Sequence, residues 1–327
     1  MNLLESLGLS YPVVQAGMGG GVAGGELAGA VSAAGGLGTV GLTDAHSFAA
    51  ELHRAKEIAG KQPVAANLLV PFARQEHIDA CIVGGAALVV LHDGFPARWI
   101  AALQAGGILV FCTAGSAAQT RKALSAGADG LVAQGVEAGG HLMAERPLSV
   151  TLPEVLGAAD GAPVLAAGGV VNADDVRALL AAGAAGAVAG TRFLLTDESR
   201  AHRDYKQRVL AAERTIRTLL FGMGWPLPHR VVPNALTERW CRRDDLGPRV
   251  VRGLNRVAAP LGRLLPLSAL DTMVSLQRAA VPLYTPALPL AGMDAAMVDR
   301  SALYAGETMH RIHDIIPAAE AVVRLAP

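Results

Sequence analysis

The chain has 327 residues, with 28 lysines and arginines against 28 aspartates and glutamates, so its formal net charge is zero. Hydrophobic residues make up 52%, charged residues 17% and aromatics only 4%, so a core here is built from Ala, Val, Leu and Gly rather than from large rings. The balance excludes a strongly basic nucleic-acid binder and an acidic disordered chain, and the length admits either two domains at about 150 residues each or one large α/β barrel.

From Tyr11 to about Ala212 two textures alternate. Short apolar runs read as strands at Val13–Ala16, Leu37–Leu42, Val64–Leu69, Ala87–His92, Ile108–Thr113, Gly130–Gln134, Val164–Ala167 and Ala187–Ala189. Ala-rich segments with charges on one face read as helices near 25–34, 46–59, 74–82, 97–105, 116–126, 152–159, 172–182 and 200–212. Each strand run is nearly all apolar, as a parallel sheet covered on both faces requires. Ala34-Gly35, Ala126-Gly127 and Ala182-Gly183 place a glycine C-cap before the next strand. Eight such units in a row is the count that closes a barrel; an open doubly wound sheet could hold the same units, but eight with no change of texture favour closure, so the expected fold is α/β, a (β/α)8 TIM barrel.

After about residue 213 the alternation stops. Residues 224–233 and 260–289 are rich in proline, and a helix-like stretch near 318–325 ends the chain. The expected organisation is a barrel core over 1–213, a lid-like C-terminal extension over 214–317 and a terminal helix over 318–327 that packs back on the barrel. Between Leu246 and Met293 the acidic residue is Asp271, against Arg249, Arg252, Arg256, Arg263 and Arg278. That stretch reads first as a solvated basic face and second as a surface for an acyl chain or lipid. No run of about 18 apolar residues escapes charge or Gly/Pro punctuation, so no spanning helix is expected. Met1–Ser10 carries Glu5 and no basic n-region, unlike a signal peptide. Cys81, Cys112 and Cys241 match no zinc or CxxC spacing, so neither a metal site nor a disulfide scaffold is expected. A reducing, cytoplasmic compartment fits these features.

Four motifs carry chemistry. Gly19–Gly24 is a literal GxGxxG after the first strand, with Asp44 at the end of the second, which is the dinucleotide fingerprint. In so glycine-rich a chain it also reads as a tight loop of small residues. A third reading has Ala16-Gly17-Met18 bringing backbone groups close to a flat ring. Gln134 to His141 follows the sixth strand, on the barrel face where loops build sites, and its glycines let His141 stand in a cleft. Most other histidines read as surface or core residues, with His92 at the end of the fourth strand less clearly so. Ala167-Gly168-Gly169-Val170 follows the seventh strand and Gly190-Thr191-Arg192-Phe193 the eighth. Barrels bind a phosphate with these two loops. A ligand with one phosphate and a planar body fits, and FMN fits better than a dinucleotide.

These residues resemble the nitronate monooxygenase family, formerly 2-nitropropane dioxygenase, a family of FMN-dependent TIM barrels. The resemblance rests on Tyr11–Met18, Ala34–Gly41, Ala133–His141, Ala167–Val170 and Gly190–Phe193 and runs in order over roughly 8–200. It implies flavin contacts by the backbone of Ala16, Gly17 and Met18, by Asn67, by Gln134 and Gly139, and by Gly168, Gly169, Gly190 and Thr191 around the phosphate. It implies His141 as the active-site histidine, taking the α-proton of a neutral nitroalkane or positioning an anionic nitronate, with a pKa near neutrality. Reduced flavin then passes electrons to O2, giving a carbonyl compound and nitrite. Relatives with similar motifs are FMN-dependent enoyl-acyl-carrier-protein reductases and NADH:quinone reductases, so the alternative partners are NAD(P)H with an enoyl thioester or a quinone. Tyr304-Ala-Gly-Glu307 is similar to a late Tyr/Trp-Ala-Gly-Gln stretch of the family but carries Glu in place of Gln.

Overall fold

The computed structural model describes residues 6–262 and 277–327, so part of the expected readings of Met1–Ser10 and of 246–293, including Arg263 and Asp271, lies outside the described residues. Eight parallel strands form one sheet: β1 (Val13–Gln15), β2 (Gly38–Gly41), β3 (Val64–Leu69), β4 (Leu88–His92), β5 (Leu109–Ala114), β6 (Gly130–Gln134), β8 (Val164–Ala167) and β9 (Gly186–Ala189). The order is β1-β9-β8-β6-β5-β4-β3-β2. The two ends of that order meet. A parallel bridge joins Val14 to Leu37, and Leu37 N–H donates to Val13 O at 2.9 Å. One residue further on, the Gln15 side chain continues the seam by accepting from Thr39 N–H at 2.9 Å. The expected (β/α)8 TIM barrel is the fold of this chain.

The barrel closes because its interior alternates sizes. Val14, Leu37, Ala65, Leu88, Val90, Phe111, Val132 and Leu165 fill it, and a Cβ on Gly130 would stand 2.4 Å from Phe111 Cζ. The small residue therefore makes room for the large ring of its register partner on the adjacent strand β5. Outside, the opposite faces of the strands pack on helices through Phe48, Leu52, Ile78, Ile100 and Leu103, all fully buried. Fully apolar strands thus have an apolar partner on each side. The helices end as their sequences imply, with Gly35, Gly127 and Gly183 at φ between 93° and 101°.

The chain after 213 adds two short strands, β10 (Ile216–Thr218) and β11 (His229–Val231). They form a three-stranded antiparallel sheet in the order β10-β11-β7, where β7 (Gly140–His141) is the end of the glycine-rich histidine loop. The extension is therefore hydrogen-bonded to the loop after β6. The helix Ala318–Leu325 buries Ala318, Ala321, Val322 and Leu325 in a cluster with Leu27 and Val31 of the first helix, Gly25–Ala33. No described helix is long and apolar enough to cross a membrane.

One contact tests this packing directly. A Cβ on Gly38 would lie 1.8 Å from Ala28 O, a backbone atom of the helix over β2. Gly38→Ala must push that helix outward, and overpacking of this kind costs about 1–3 kcal/mol. Urea unfolding should show a midpoint lowered accordingly; an unchanged midpoint would mean that the helix is free to move.

Candidate active site

The carboxyl ends of the strands open on one cavity of about 510 Å³. Every residue that the resemblance assigned to the flavin or to catalysis lines it: Ala16, Gly17, Met18, Asn67, Gln134, Gly139, His141, Gly168, Gly169, Gly190 and Thr191. They come from the ends of β1, β3, β6, β8 and β9 and from β7, which is why residues so far apart in the chain meet. The extension contributes Trp225, Leu288, Tyr304 and Gly306 to the same wall.

The glycines divide into two groups by what holds them. A Cβ on Gly17 would lie 2.2 Å from Asn67 Cβ, and Asn67 Nδ2–H donates to Gly17 O at 3.1 Å. A Cβ on Gly139 would lie 2.7 Å from the Ala305 carbonyl carbon. At both positions the protein itself demands glycine. Gly168 and Gly169 hold φ of 137° and 75°, which side chains rarely adopt. Gly190 differs. Its φ is −103°, and an added Cβ would meet only Ala16 Cβ at 3.7 Å. Neither backbone nor packing explains glycine there, and a side chain would intrude only into the cavity. Thr39 Oγ1, also in the wall, is buried without a partner. A ligand laid across these loops accounts for both features.

Thr191 Oγ1 accepts from Gly306 N–H at 2.8 Å, so its hydroxyl is engaged with the Tyr304–Glu307 segment. Arg192 points away from the cavity: its guanidinium donates to Asp314 Oδ1 at 2.6 Å, Asp314 O at 2.8 Å and Leu195 O at 2.7 Å. The dinucleotide reading of Gly19–Gly24 does not survive. The helix N-terminus behind it is already capped by a carboxylate, since Gly25 N–H donates to Glu51 Oε2 at 2.6 Å and Glu51 is paired with Arg200. An anion fills the place where a pyrophosphate would sit. Asp44 accepts from Ser47 N–H at 3.1 Å and caps its own helix.

His141 sits in a nest of rings. Trp225 stacks on it at 3.6 Å between centroids and 12° between planes, His229 lies at 4.8 Å and Tyr304 at 5.5 Å. Gln134 fixes its backbone: Nε2–H donates to His141 O at 3.1 Å and Oε1 accepts from Met143 N–H at 2.7 Å. Gln134 therefore lines the cavity with both side-chain ends committed to the histidine loop. His229 accepts from Phe221 N–H through Nε2 at 3.3 Å, which leaves Nδ1 to carry the proton toward Leu227 O at 3.1 Å. Arg230 braces the loop from behind, donating to Val136 O at 2.7 Å and pairing with Glu307 at 3.2 Å. The Glu that replaces the family's Gln thus has a cation of this chain as its partner.

Burial sets the charge state. Desolvation first, then repulsion from His229 and His92, holds the His141 imidazole well below its ordinary pKa. Burial alone pushes His92 and His229 down to about 4. The expectation of a base poised near neutrality is corrected by the structure: the ring is dry and flanked by two more histidines, so it is neutral at physiological pH. Sequence reasoning missed Trp225, His229 and Tyr304 as members of the site and left His92 open. The proline-flanked Gly224-Trp225-Pro226 was a signal, but only the β11–β7 pairing brings it to His141.

A family profile for nitronate monooxygenase matches residues 2–81 and 72–327. The chain is 35% identical over 255 residues to a Mycobacterium tuberculosis protein named (3aS,4S,5R,7aS)-5-hydroxy-7a-methyl-1-oxo-octahydro-1H-indene-4-carboxyl-CoA dehydrogenase, covering 72% of this chain and 67% of that protein. It is 33% identical over 265 residues to a nitronate monooxygenase of Pseudomonas aeruginosa, covering 65% of this chain and 74% of the relative. Among solved structures, a nitroalkane oxidase from Streptomyces ansochromogenes superposes with a TM-score of 0.77 at 28% identity, covering 99% of this chain and 97% of the other. FabK from Thermotoga maritima superposes with a TM-score of 0.76 at 25% identity, covering 99% and 94%.

The three buried histidines make stability depend on pH. Their folded pKa values lie below the unfolded value near 6.5, so the unfolded chain binds more protons as pH falls. Their contribution is complete above about pH 6.5 and is lost progressively toward pH 4. The urea midpoint should therefore drop between pH 7 and pH 5, while the ring resonances of these histidines stay at neutral-form shifts in NMR. A flat midpoint over that window would contradict the burial argument.

Proposed function

The chain belongs to the nitronate monooxygenase family of oxidoreductases, and from that premise we propose that it binds FMN and oxidises alkyl nitronates with O2 to a carbonyl compound and nitrite. The observation that carries this reading is that a neutral, desolvated His141 and the glycine loops after β8 and β9 line one cavity.

In this reading the backbone of Ala16, Gly17 and Met18 and the open faces of Gly168, Gly169, Gly190 and Thr191 bind the cofactor, with the phosphate at the last four. When bound, FMN would supply the redox chemistry, accepting electrons from the nitronate and delivering them to O2. Asn67 holds the loop that carries Gly17, and Gln134 holds the loop that carries His141. A neutral imidazole keeps one ring N–H to donate, so His141 orients an anionic nitronate by a hydrogen bond. A base with so low a pKa is poorly matched to removing the α-proton of a neutral nitroalkane at pH 7. The nitronate, which has already lost that proton, is therefore the substrate form that this site favours. In this reading the enzyme works in the cytoplasm, a reducing compartment in which its three buried cysteines stay free thiols.

A second reading, reduction of an enoyl thioester or a quinone by NAD(P)H, has its own support. The cavity mouth is greasy, with Leu69, Phe72, Leu288 and Leu290 in its wall, and the M. tuberculosis relative is named for a coenzyme A thioester. The two readings share the cofactor and differ in the electron donor.

The purified protein should show a flavin spectrum that bleaches promptly under anaerobic conditions with a nitronate and not with NADH. Bleaching by NADH alone would replace the monooxygenase by the reductase. His141→Ala should keep the flavin and lose about 10²- to 10³-fold in turnover, the loss expected for one positioned hydrogen-bond donor; wild-type turnover would remove the imidazole from the mechanism. Gly190→Val should lower flavin occupancy without lowering the urea midpoint of the flavin-free protein, because an added Cβ meets only Ala16 Cβ, in ordinary contact at 3.7 Å.

A further inference from the structure

We propose that Trp225, anchored by Asp93, is the residue that positions His141 and limits the substrate to short-chain nitronates; the inference rests on the assignment of His141 above. The indole lies flat on the imidazole, 3.6 Å away and 12° from parallel, and is itself only 4% exposed. His141 Nε2 is buried and has no hydrogen-bond partner. One face of the ring is thus closed by a side chain that donates no hydrogen bond to it, and the remaining approach is through the cavity.

The indole is fixed on three sides. Its Nε1–H donates to Asp93 Oδ2 at 2.7 Å, and Asp93 follows the carboxyl end of β4 with φ at 60°. Phe72 packs edge-on at 5.4 Å, and His92 at 6.0 Å with an interplanar angle of 86°. A charge-assisted hydrogen bond and two perpendicular ring contacts define both the depth and the tilt of a large side chain. A rigid wall of that kind turns added chain length into a clash, whereas a mobile one would yield. One methylene against a well-fitted pocket is worth about 10- to 200-fold in selectivity.

The anchor comes from the barrel and the wall from the extension. Trp225 belongs to the proline-rich segment before β11, whose pairing places His229 opposite His141. The same hydrogen-bonded sheet therefore carries the imidazole and lies next to the cover above it. A substitution at 225 changes the size of the pocket without touching the glycine loops after β8 and β9, so cofactor occupancy and substrate selectivity separate.

Two measurements on the flavin-loaded protein test this. Diethyl pyrocarbonate acylates accessible neutral imidazoles, and peptide mass mapping reads each histidine against exposed His53. In the wild type His141 should react at least tenfold more slowly than His53; in Trp225→Ala the gap should close, and in Trp225→Phe, which keeps a ring over the imidazole, it should persist. Turnover is then followed over ethyl, propyl, butyl and hexyl nitronates. Wild type should lose kcat/KM steeply with length through KM, Trp225→Ala should flatten that loss at least tenfold at hexyl, and Trp225→Phe should restore most of it. Wild-type His141 labelling as fast as His53, or length dependence identical in wild type and Trp225→Ala with flavin retained, would overturn the proposal. A wild type inert to every nitronate overturns the monooxygenase assignment, and with it the short-chain limit, while the labelling still decides whether Trp225 covers the ring.

Discussion

The site depends on one pairing, the antiparallel register that sets His229 opposite His141 and Arg230 opposite Gly140. A loop of Gly-Val-Glu-Ala-Gly-Gly has almost no side chains with which to hold itself. The extension supplies the missing hydrogen bonds from outside the barrel. It adds the Arg230 donation to Val136 O, and Glu307 N–H closes the ring by donating to Glu137 O at 2.9 Å. Glycines let the backbone run close to a ligand, and a second sheet gives that backbone the order it cannot supply.

The consequence is electrostatic. Packing an extension over the histidine loop removes water from His141, His92 and His229 together, and at His141 the two neighbouring imidazoles disfavour a proton further. Dry, uncharged imidazoles are poor bases and serviceable hydrogen-bond donors. A site with this character discriminates between a neutral acid, which needs a base, and its conjugate anion, which needs orientation. The flavin family supplies electron transfer, and the chain's own contribution is binding, orientation and exclusion of water.

The glycine-rich signature carried several kinds of information that the sequence could not separate. Gly38 and Gly41 let a helix and a loop approach the sheet, Gly17 makes room for Asn67, and Gly139 makes room for Ala305. Gly168 and Gly169 supply positive φ. Gly190 is explained by neither and stands open toward the cavity. The GxGxxG at Gly19–Gly24 belongs with the fold-making glycines, since its middle glycine, Gly21, holds a φ of 92°.

Local chemistry wrote much of the protein into its sequence. Apolar runs of strand length, punctuated by left-handed glycines, specify eight βα units, and eight units with right-handed crossovers have one way to close. Because function collects at the carboxyl ends of those strands, Gln134, His141 and the glycine pairs could be placed at one mouth from their spacing, and Asn67 joined them through the family resemblance. What the sequence left open is whatever needs residues from distant elements to meet. Trp225 on His141, Asp93 beneath Trp225 and Glu51 over the first helix are pairings between segments 84, 132 and 26 residues apart. The pKa of His141 belongs there too, because it is fixed by the water that those neighbours exclude, and no local pattern records which side chains will exclude it.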